Sequence, residues 1–325
     1  MAGARVRTAP GPPVVVRAVR RCPGWTATVE VMQHPTAVEG RLDAFAHRLL
    51  ARAPERGIRA LAVEVVVFVV KQAWACVFGA ALLVVIVAVR LWWPTEAAVA
   101  PNDALTIAAV LIQVAMVAGR LEPGRELWVI VLFHLAGTAM ELFKTDAGSW
   151  TYAADGILRI GGVPLFSGFM YAAVGSYLVR VHRLFDLEFR RYPPVWATTV
   201  VAVAIYANFF AHHFWWDARY VLLAAVVLLW LPTIMSARIW RRTLRMPVLA
   251  AFAGVALFIY LAENIGTWAG AWMYPDQLDG WHPVSISKLG SWFLLMIISV
   301  VMVTWVFPPK SRSASGARDG DRSAA

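Results

Sequence analysis

The residues most suited to chemistry in this sequence belong to a motif that occurs twice. Residues 141–152 and residues 263–274 both read E-x3-T-x2-G-x-W-x-Y, with five identical residues at identical spacing. The first residue of each copy, Glu141 or Glu263, places a carboxyl group in a long apolar segment. Two carboxyl groups in one site of low polarity do not easily both ionise, so one keeps its proton and can act as a general acid. The repeated motif therefore predicts an acid–base pair.

Further polar side chains accompany each glutamate at helical spacing. His134 lies on the same helical face as Glu141, within about 60° at 100° per residue, and we expect it to orient the acid or to relay its proton. A similar polar stripe surrounds Glu263. The residues that we expect to contact a substrate are Thr138, Thr145, Trp150, Tyr152, Tyr260, Asn264, Thr267, Trp272, Tyr274, Asn208 and His212.

Other interpretations of these residues stay open. The motif tryptophans and tyrosines are also typical of the aromatic belt at a membrane interface. Lys144 follows Glu141 by three residues, and an ion pair between them would make that glutamate structural. His212 and His213 are possible metal ligands together with Asp217 or a motif glutamate. Adjacent side chains on a helix point about 100° apart, however, and we therefore predict a site without metal.

The sequence carries no signature of a bound cofactor. A Walker loop, a dinucleotide fingerprint, a nucleophile elbow, an H-E-x-x-H pair and a CxxC pair are all missing from it. We therefore expect no diffusible cofactor.

The composition is that of an integral membrane protein. Hydrophobic residues make up 60% of the 325 residues and charged residues only 15%, whereas an average soluble domain carries about 25% charge. Long uninterrupted apolar runs exclude a soluble globular enzyme, a coiled coil and a disordered protein. The net charge of +10 follows the loops between these runs, so we expect membrane lipids and not nucleic acid as partners.

The apolar runs predict an all-α polytopic protein with eight transmembrane helices. A span needs about 20 apolar residues, and the candidates are roughly 68–92, 103–119, 126–144, 163–181, 195–213, 219–236, 247–267 and 288–307. Arginine and lysine concentrate in alternate loops when both termini are placed in the cytoplasm. The motif spacing further predicts two parallel four-helix repeats, related by a pseudo-twofold axis along the membrane normal. That axis would bring Glu141 and Glu263 to one site near the outer face.

Three regions follow from this interpretation. Residues 1–60 form an Arg-rich cytoplasmic arm, which we expect either to be partly disordered or to form a basic helix on the headgroups. Residues 61–308 form the membrane domain, with repeat halves at about 61–182 and 195–308. Residues 309–325 have the polar composition of a disordered cytoplasmic tail.

Several stretches resemble a bacterial family of integral membrane proteins that is catalogued as a domain of unknown function, DUF817. The resemblance covers about residues 60–308 and rests on VKQA at 70–73, ELFKT at 141–145, GGVPLFSGFMY at 161–171, AHH at 211–213, AENIGT at 262–267 and KLGSWFLLMIIS at 288–299. It implies several spans in a bacterial cytoplasmic membrane and no particular activity.

A second likeness concerns residues 148–152 and 159–165, which are similar to the repeated motif of membrane lycopene cyclase domains and related carotenoid hydratases. Those proteins use carboxylates to protonate a polyene. The cyclases carry acidic residues where this chain has Phe166 and Ser167. The resemblance therefore implies that any acid chemistry here comes from Glu141 and Glu263.

The residues thus favour an intramembrane acid–base enzyme that acts on an isoprenoid or another lipid, as a cofactor-independent isomerase, cyclase or hydratase. A proton-coupled transporter of a small molecule has the same intramembrane carboxylates and repeats. A scaffold or assembly subunit, whose polar residues only join helices, is the third hypothesis.

Overall fold

The computed structural model describes residues 36–50, 56–94, 96–122 and 124–310. The predicted arm before residue 36 and the predicted tail after residue 310 lie outside these residues. Helices dominate the described part: α1 (Ala37–Leu50), α2 (Ile58–Ala75), α3 (Val77–Trp92), α4 (Pro101–Ala118), α5 (Glu126–Asp146), α6 (Phe166–Leu184), α7 (Val195–Ala211), α8 (Arg219–Trp230), α9 (Val248–Trp268) and α10 (Lys288–Val306).

The described residues also contain short strands, so the prediction of a purely helical chain was wrong in this detail. The strands are β1 (Arg159–Ile160), β2 (Val163–Pro164), β3 (Glu188–Arg190), β4 (Ile234–Arg238) and β5 (Thr243–Pro247). An antiparallel β1–β2 hairpin precedes α6, and an antiparallel sheet of order β3-β4-β5 joins the chain segments after α6 and after α8. In these strands, backbone N–H and C=O groups of segments between the predicted helices form hydrogen bonds with each other.

Each predicted span contains a helix, and the lengths of these helices differ. Among the described residues, α4, α5, α9 and α10 are long and apolar enough to cross a membrane, and α2 with α3 make a fifth candidate if they count as one bent span. Helix α8 has 12 residues, or about 18 Å at 1.5 Å per residue. The chain is therefore mostly helical with four or five candidate membrane spans.

The first predicted span is two helices that meet at Cys76 with a bend of 68°. Polar side chains of α2 tie this helix to loops at one end of the bundle. Lys71 Nζ donates to the carbonyls of Leu184 (2.8 Å) and Ile239 (2.5 Å). Glu64 Oε1 accepts from the backbone N–H of Arg241 at 3.0 Å. The opposite face of α2 is apolar and exposed.

The sixth predicted span is also shorter than expected. Helix α8 ends at Trp230, so Pro232 lies outside the helix, and β4 begins at Ile234. Proline has no backbone N–H and its ring crowds the preceding turn. Thr233 then donates its hydroxyl to the Arg191 carbonyl (3.0 Å) and holds the chain in the turn toward the sheet.

Helix packing in the first half of the chain has a counterpart in the second half. Helix α5 packs along α6, and α9 packs along α10. Helix α3 packs on α4 and α6, while α7 packs on α8 and α10. Between the halves, α6 contacts α10, α3 contacts α9 and α5 contacts α7. The largest hydrophobic core lies around α10, where Met296, Ile297 and Val301 are fully buried.

Close packing of α5 on α6 makes Gly175 sensitive to substitution. A Cβ at this position would lie 2.9 Å from Phe133 Cδ2, so we expect Gly175→Ala to lower the free energy of unfolding by about 1–3 kcal/mol. Gly254→Ala is the matched control, because a Cβ there meets nothing within 4 Å and alanine favours a helix interior by about 0.5–1 kcal/mol. Unfolding curves in detergent test both. Equal stability of the two variants would contradict this packing.

Candidate functional site

Both motifs begin with the same helix ending. Helices α5 and α9 are each followed by a glycine with positive φ, Gly148 (φ 70°) and Gly270 (φ 73°). The amide of Ser149 donates to the carbonyl five residues earlier (2.9 Å), and the amide of Ala271 does the same (3.1 Å). This is the hydrogen-bond pattern of a glycine-terminated helix. The reversal returns the following tryptophan and tyrosine toward the glutamate of the same motif.

Glu141 accepts three hydrogen bonds from aromatic side chains. Trp150 Nε1 (2.8 Å) and the Tyr152 hydroxyl (2.7 Å) donate to Oε2, and the Tyr171 hydroxyl (2.8 Å) donates to Oε1. The glutamate is 3% exposed. A buried carboxyl group is stable only when hydrogen-bond donors replace its water, and these three side chains supply them.

Glu263 has the equivalent motif donors. Trp272 Nε1 (2.9 Å) and the Tyr274 hydroxyl (2.7 Å) both donate to Oε1, and Glu263 is also buried. The position that corresponds to Tyr171, 122 residues later, is Phe293, which has no hydroxyl to donate. The two carboxyl groups therefore share a motif shell and differ by one donor.

A second difference follows each motif tyrosine by fourteen residues. Phe166 stands near Tyr152, with ring centroids 6.0 Å apart. Lys288 stands at the equivalent position in the second half, and its Nζ lies 4.1 Å from the Tyr274 ring centroid. Lys288 thus lies beside a tyrosine that donates to Glu263. The electrostatic surroundings of the two glutamates are therefore unequal.

The two motifs contact each other at equivalent residues. Thr151 and Met273, each between the tryptophan and the tyrosine of its motif, form an antiparallel bridge with both N–H···O bonds at 2.9 Å. The rings of Trp150 and Tyr274 meet edge to face, with centroids 6.3 Å apart. The hydrogen-bond shells of the two glutamates are therefore in contact with each other.

Burial fixes the protonation of the two motif tyrosines. Tyr152 and Tyr274 lie in loops after α5 and α9, and loss of water raises the pKa of each phenol well above its ordinary value. The facing glutamate raises the pKa further, because a phenolate would lie beside a carboxylate. Both hydroxyls therefore stay protonated hydrogen-bond donors.

Tyr260, Asn264 and Thr267, predicted substrate contacts, hold the loop that follows α9. The Tyr260 hydroxyl donates to the Val284 carbonyl (2.6 Å), and Asn264 Oδ1 accepts from the Val284 amide (2.9 Å). Thr267 Oγ1 accepts from Trp281 Nε1 (3.2 Å). Their hydrogen bonds thus position the loop that carries Trp272 and Tyr274. Thr145, the counterpart of Thr267, has a buried hydroxyl without a hydrogen-bond partner among the described residues.

His134 and Thr138 face α6 at a close approach. A Cβ on Gly168 would lie 2.6 Å from His134 Nδ1 and 3.0 Å from Thr138 Oγ1, so only glycine fits there. The His134 ring meets Phe169 edge-on with centroids 4.4 Å apart. None of the hydrogen bonds found in the described part of the chain joins His134 to a glutamate. Its role as orienter or proton relay stays a prediction.

Lys144 does not pair with Glu141, so that alternative was wrong. Its Nζ lies 3.0 Å from His213 Nε2 and 3.5 Å from His212 Nε2, because the donors of the motif already surround Glu141 and Lys144 turns toward the end of α7. The ammonium lies where both imidazole nitrogens point. Within the described residues, no three His, Cys, Asp or Glu side chains come together as a metal site.

Asn208 holds the turn between α7 and α8. Its Nδ2 donates to Asp217 Oδ1 (3.1 Å), and its Oδ1 accepts from the Ala218 amide (2.9 Å). The Asn208 carbonyl lies 2.9 Å from His212 Nδ1. These contacts orient the histidine that neighbours Lys144, at the edge of the site.

Sequence reasoning missed two residues that build the site. Tyr171 lies on α6 outside the repeated motif, and its ring reaches Glu141 because Gly137 has no side chain to obstruct it. Asp103, at the start of α4, accepts the amides of Ile157 (3.0 Å) and Leu158 (2.7 Å). It thereby anchors the loop after the first motif. The sequence did contain one signal for Asp103: it is an acidic residue in the first turn of a helix that begins with Pro101.

The raised pKa of the motif tyrosines predicts a spectroscopic result. Phenolate absorbance at 295 nm, followed from pH 8 to pH 11, should be the same in the native protein and in the double variant Tyr152→Phe/Tyr274→Phe. Neither phenol ionises in this range, since burial disfavours the charged form. A smaller signal in the double variant, with the fold intact by circular dichroism, would show that these phenols are accessible to base.

Comparison with known proteins gives one family. The family model described as "Protein of unknown function (DUF817)" matches residues 64–300. Uncharacterized protein YoaT of Bacillus subtilis (strain 168) is 44% identical over 215 residues, which cover 66% of this chain and 81% of YoaT. A crystal structure of a cross-linked MvINS trimer matches with 13% identity and a TM-score of 0.42, over 56% of this chain and 93% of that chain. This TM-score is too low to indicate a shared fold. The length of the family match and the identity to YoaT lead to one conclusion: the chain belongs to the DUF817 family.

Proposed function

We propose that Glu141 and Glu263 are the acid–base pair of an intramembrane enzyme that acts on an isoprenoid or another lipid. The observation that carries the proposal is the pairing of the two motifs through Thr151 and Met273, which joins two buried carboxyl shells into one site. Ionisable groups at such positions in membrane helices are usually functional.

The hydrogen-bond shells make the two glutamates inequivalent. Three hydrogen-bond donors surround Glu141, whereas both motif bonds of Glu263 reach one oxygen, Oε1. Two carboxylates in one buried site repel each other, so one retains a proton. We assign the proton to the pair as a whole, which then contains one general acid and one general base.

The chemistry of the pair suits a carbon–carbon double bond. The acid donates its proton to one carbon and leaves a carbocation on the other. The partner carboxylate then removes a proton from a neighbouring carbon, and the double bond has moved. If water adds to the cation instead, the partner carboxylate takes a proton from the added water, and the product is an alcohol. The aromatic faces of Trp150, Tyr152, Trp272 and Tyr274 would stabilise the cation, and no diffusible cofactor is required.

The proposal includes the membrane arrangement. The matching contacts of α3–α6 and α7–α10 support two parallel four-helix repeats around a pseudo-twofold axis. The proposed protein has eight spans in all and lies in the bacterial inner membrane. Both of its termini are then in the cytoplasm. In this arrangement Glu141 and Glu263 would lie beside the axis, near the outer face.

A proton-coupled transporter is the second candidate, and the break between α2 and α3 favours it. Transport sites commonly contain interrupted membrane helices whose freed carbonyls face polar groups. Here Arg180 Nη1 donates to the Trp74 carbonyl (3.3 Å), next to the break at Cys76. This contact is at the other end of α6 from Tyr171, away from the glutamate pair.

Lipid analysis of three strains tests the enzyme. Membranes from the native host, from a deletion strain and from a deletion strain carrying Glu141→Gln/Glu263→Gln are compared by untargeted mass spectrometry of lipids and isoprenoids. We expect one species to accumulate, and its product to fall, in both deficient strains. Loss of a general acid costs roughly 10²–10⁴-fold in rate, so the substitutions should act like the deletion.

Glu96→Gln is the matched control, because Glu96 is exposed and lies outside both motifs; it should restore the native profile. Lipid profiles that are unchanged in the double variant, at a normal level of the protein, would contradict the proposed enzymatic function. Proton flux into vesicles would then support the transporter, and low abundance of the variants alone would support a scaffold.

A further inference from the structure

A second group of buried charges lies at the other end of the bundle. Glu126, Arg180 and Arg183 are each less than 10% exposed. Glu126 and Glu141 stand fifteen residues apart on α5, which is about 22 Å at 1.5 Å per residue. The second half of the chain has Val248, Met302 and Trp305 at the equivalent positions. The cluster therefore belongs to the first half alone and is separate from the glutamate pair.

Glu122 and Arg180 form the inner part of this cluster. Glu122 accepts from Gln113 Nε2 (2.6 Å) and from the Ser176 hydroxyl. Arg180 Nη2 lies 3.6 Å from Glu122 Oε1. The guanidinium of Arg180 is 1% exposed, and its Nε and Nη2 make no hydrogen bond with the described residues. A buried guanidinium with unpartnered N–H groups is unfavourable unless water or another acceptor reaches it.

Helix α1 covers the outer part of the cluster through one side chain. Arg183 Nε and Nη2 donate to the two oxygens of Glu39, both at 2.7 Å, and Arg183 also contacts Glu126. The charged groups of Arg183 and Glu39 are almost fully buried. A bidentate pair of this kind is strong and directional. It is the main polar connection between α1 and the helices below it.

Two indole rings make further polar contacts with α1. Trp74 Nε1 lies 3.4 Å from Glu39 Oε1, and Trp240 Nε1 donates to His47 Nδ1 (3.1 Å). Asp43 and Phe45 are exposed. A helix of 14 residues is marginal without tertiary contacts. The family match begins at residue 64, so α1 lies outside the part of the chain that the family model describes.

Arg183 keeps a carboxylate partner when α1 leaves. Removal of Glu39 from a simple buried ion pair would strand the arginine, which is strongly destabilising. Here Glu126 still contacts Arg183, so the helices beneath α1 retain a paired charge. The arrangement thus permits α1 to detach without unfolding the bundle.

We propose that α1 is a detachable plug: Glu39 on Arg183 closes this buried polar cluster, and release of α1 opens the cluster to water at that end of the bundle. The proposal does not depend on the activity of the glutamate pair.

The native thiol of Cys76 reports the opening. Cys76 is half-buried and stands two residues after Trp74, whose indole contacts Glu39 and whose carbonyl accepts from Arg180. The chain contains two cysteines, so a Cys22→Ser background leaves Cys76 alone. The rate of its reaction with a charged, membrane-impermeant methanethiosulfonate reagent is measured on the full chain in detergent.

We expect Glu39→Gln to raise the labelling rate of Cys76 about tenfold or more, since hydrogen bonds between charged groups are lost, and Glu39→Asp to lie closer to the native rate. Asp43→Asn on the same helix is the control, because Asp43 is exposed and its salt bridge is with His47 of the same helix; its rate should be native. The melting temperature of the bundle should stay within a few degrees in every variant.

Equal labelling rates in Glu39→Gln and Asp43→Asn would contradict the proposal that α1 is a detachable plug. So would a large loss of melting temperature in Glu39→Gln together with faster labelling, because α1 would then be a fixed part of the fold.

Discussion

The burial of two carboxyl groups is the constraint on which the rest of this structure depends. A carboxyl group removed from water needs hydrogen-bond donors of its own. Each motif supplies them locally: a helix ends at a glycine, the chain reverses, and a tryptophan and a tyrosine return to the glutamate nine and eleven residues earlier. The loops are fixed in turn by Asp103 in the first half and by Asn264 in the second. The aromatic residues therefore complete the glutamate sites and are more than an interfacial belt.

The two local sites lie side by side, and they differ in detail. The motifs meet at Thr151 and Met273, and the helices that carry them have matching neighbours. Phe293 stands 122 residues after Tyr171, and Lys288 stands 122 residues after Phe166. One carboxyl group thus has an extra donor and the other has a nearby cation. Such a difference is what an acid–base pair requires, whereas a purely structural duplication would not need it.

Local patterns in the sequence predicted the repeated part of the site, and long-range contacts decided the rest. Each of the eight predicted apolar runs contains a helix or part of one, because hydropathy depends only on neighbouring residues. Close to the bend at Cys76, Lys71 donates to carbonyls of residues more than a hundred positions later, and hydropathy does not contain that information. The donor Tyr171 and the histidine partners of Lys144 come from neighbouring helices in the same way. Glu39 was overlooked because it lies in an Arg-rich segment without a motif.

A disulfide cross-link tests the joining of the two motifs most directly. Residues that exchange both N–H···O bonds have Cα atoms about 5.5 Å apart, which suits a disulfide. In a chain without its native cysteines, Thr151→Cys/Met273→Cys should oxidise quickly and nearly completely, as followed by mass spectrometry of linked peptides. Thr151→Cys/Asp186→Cys, with the second cysteine beyond the far end of α6, should remain reduced. Failure of the first pair to cross-link in folded protein would contradict a single site built from both motifs.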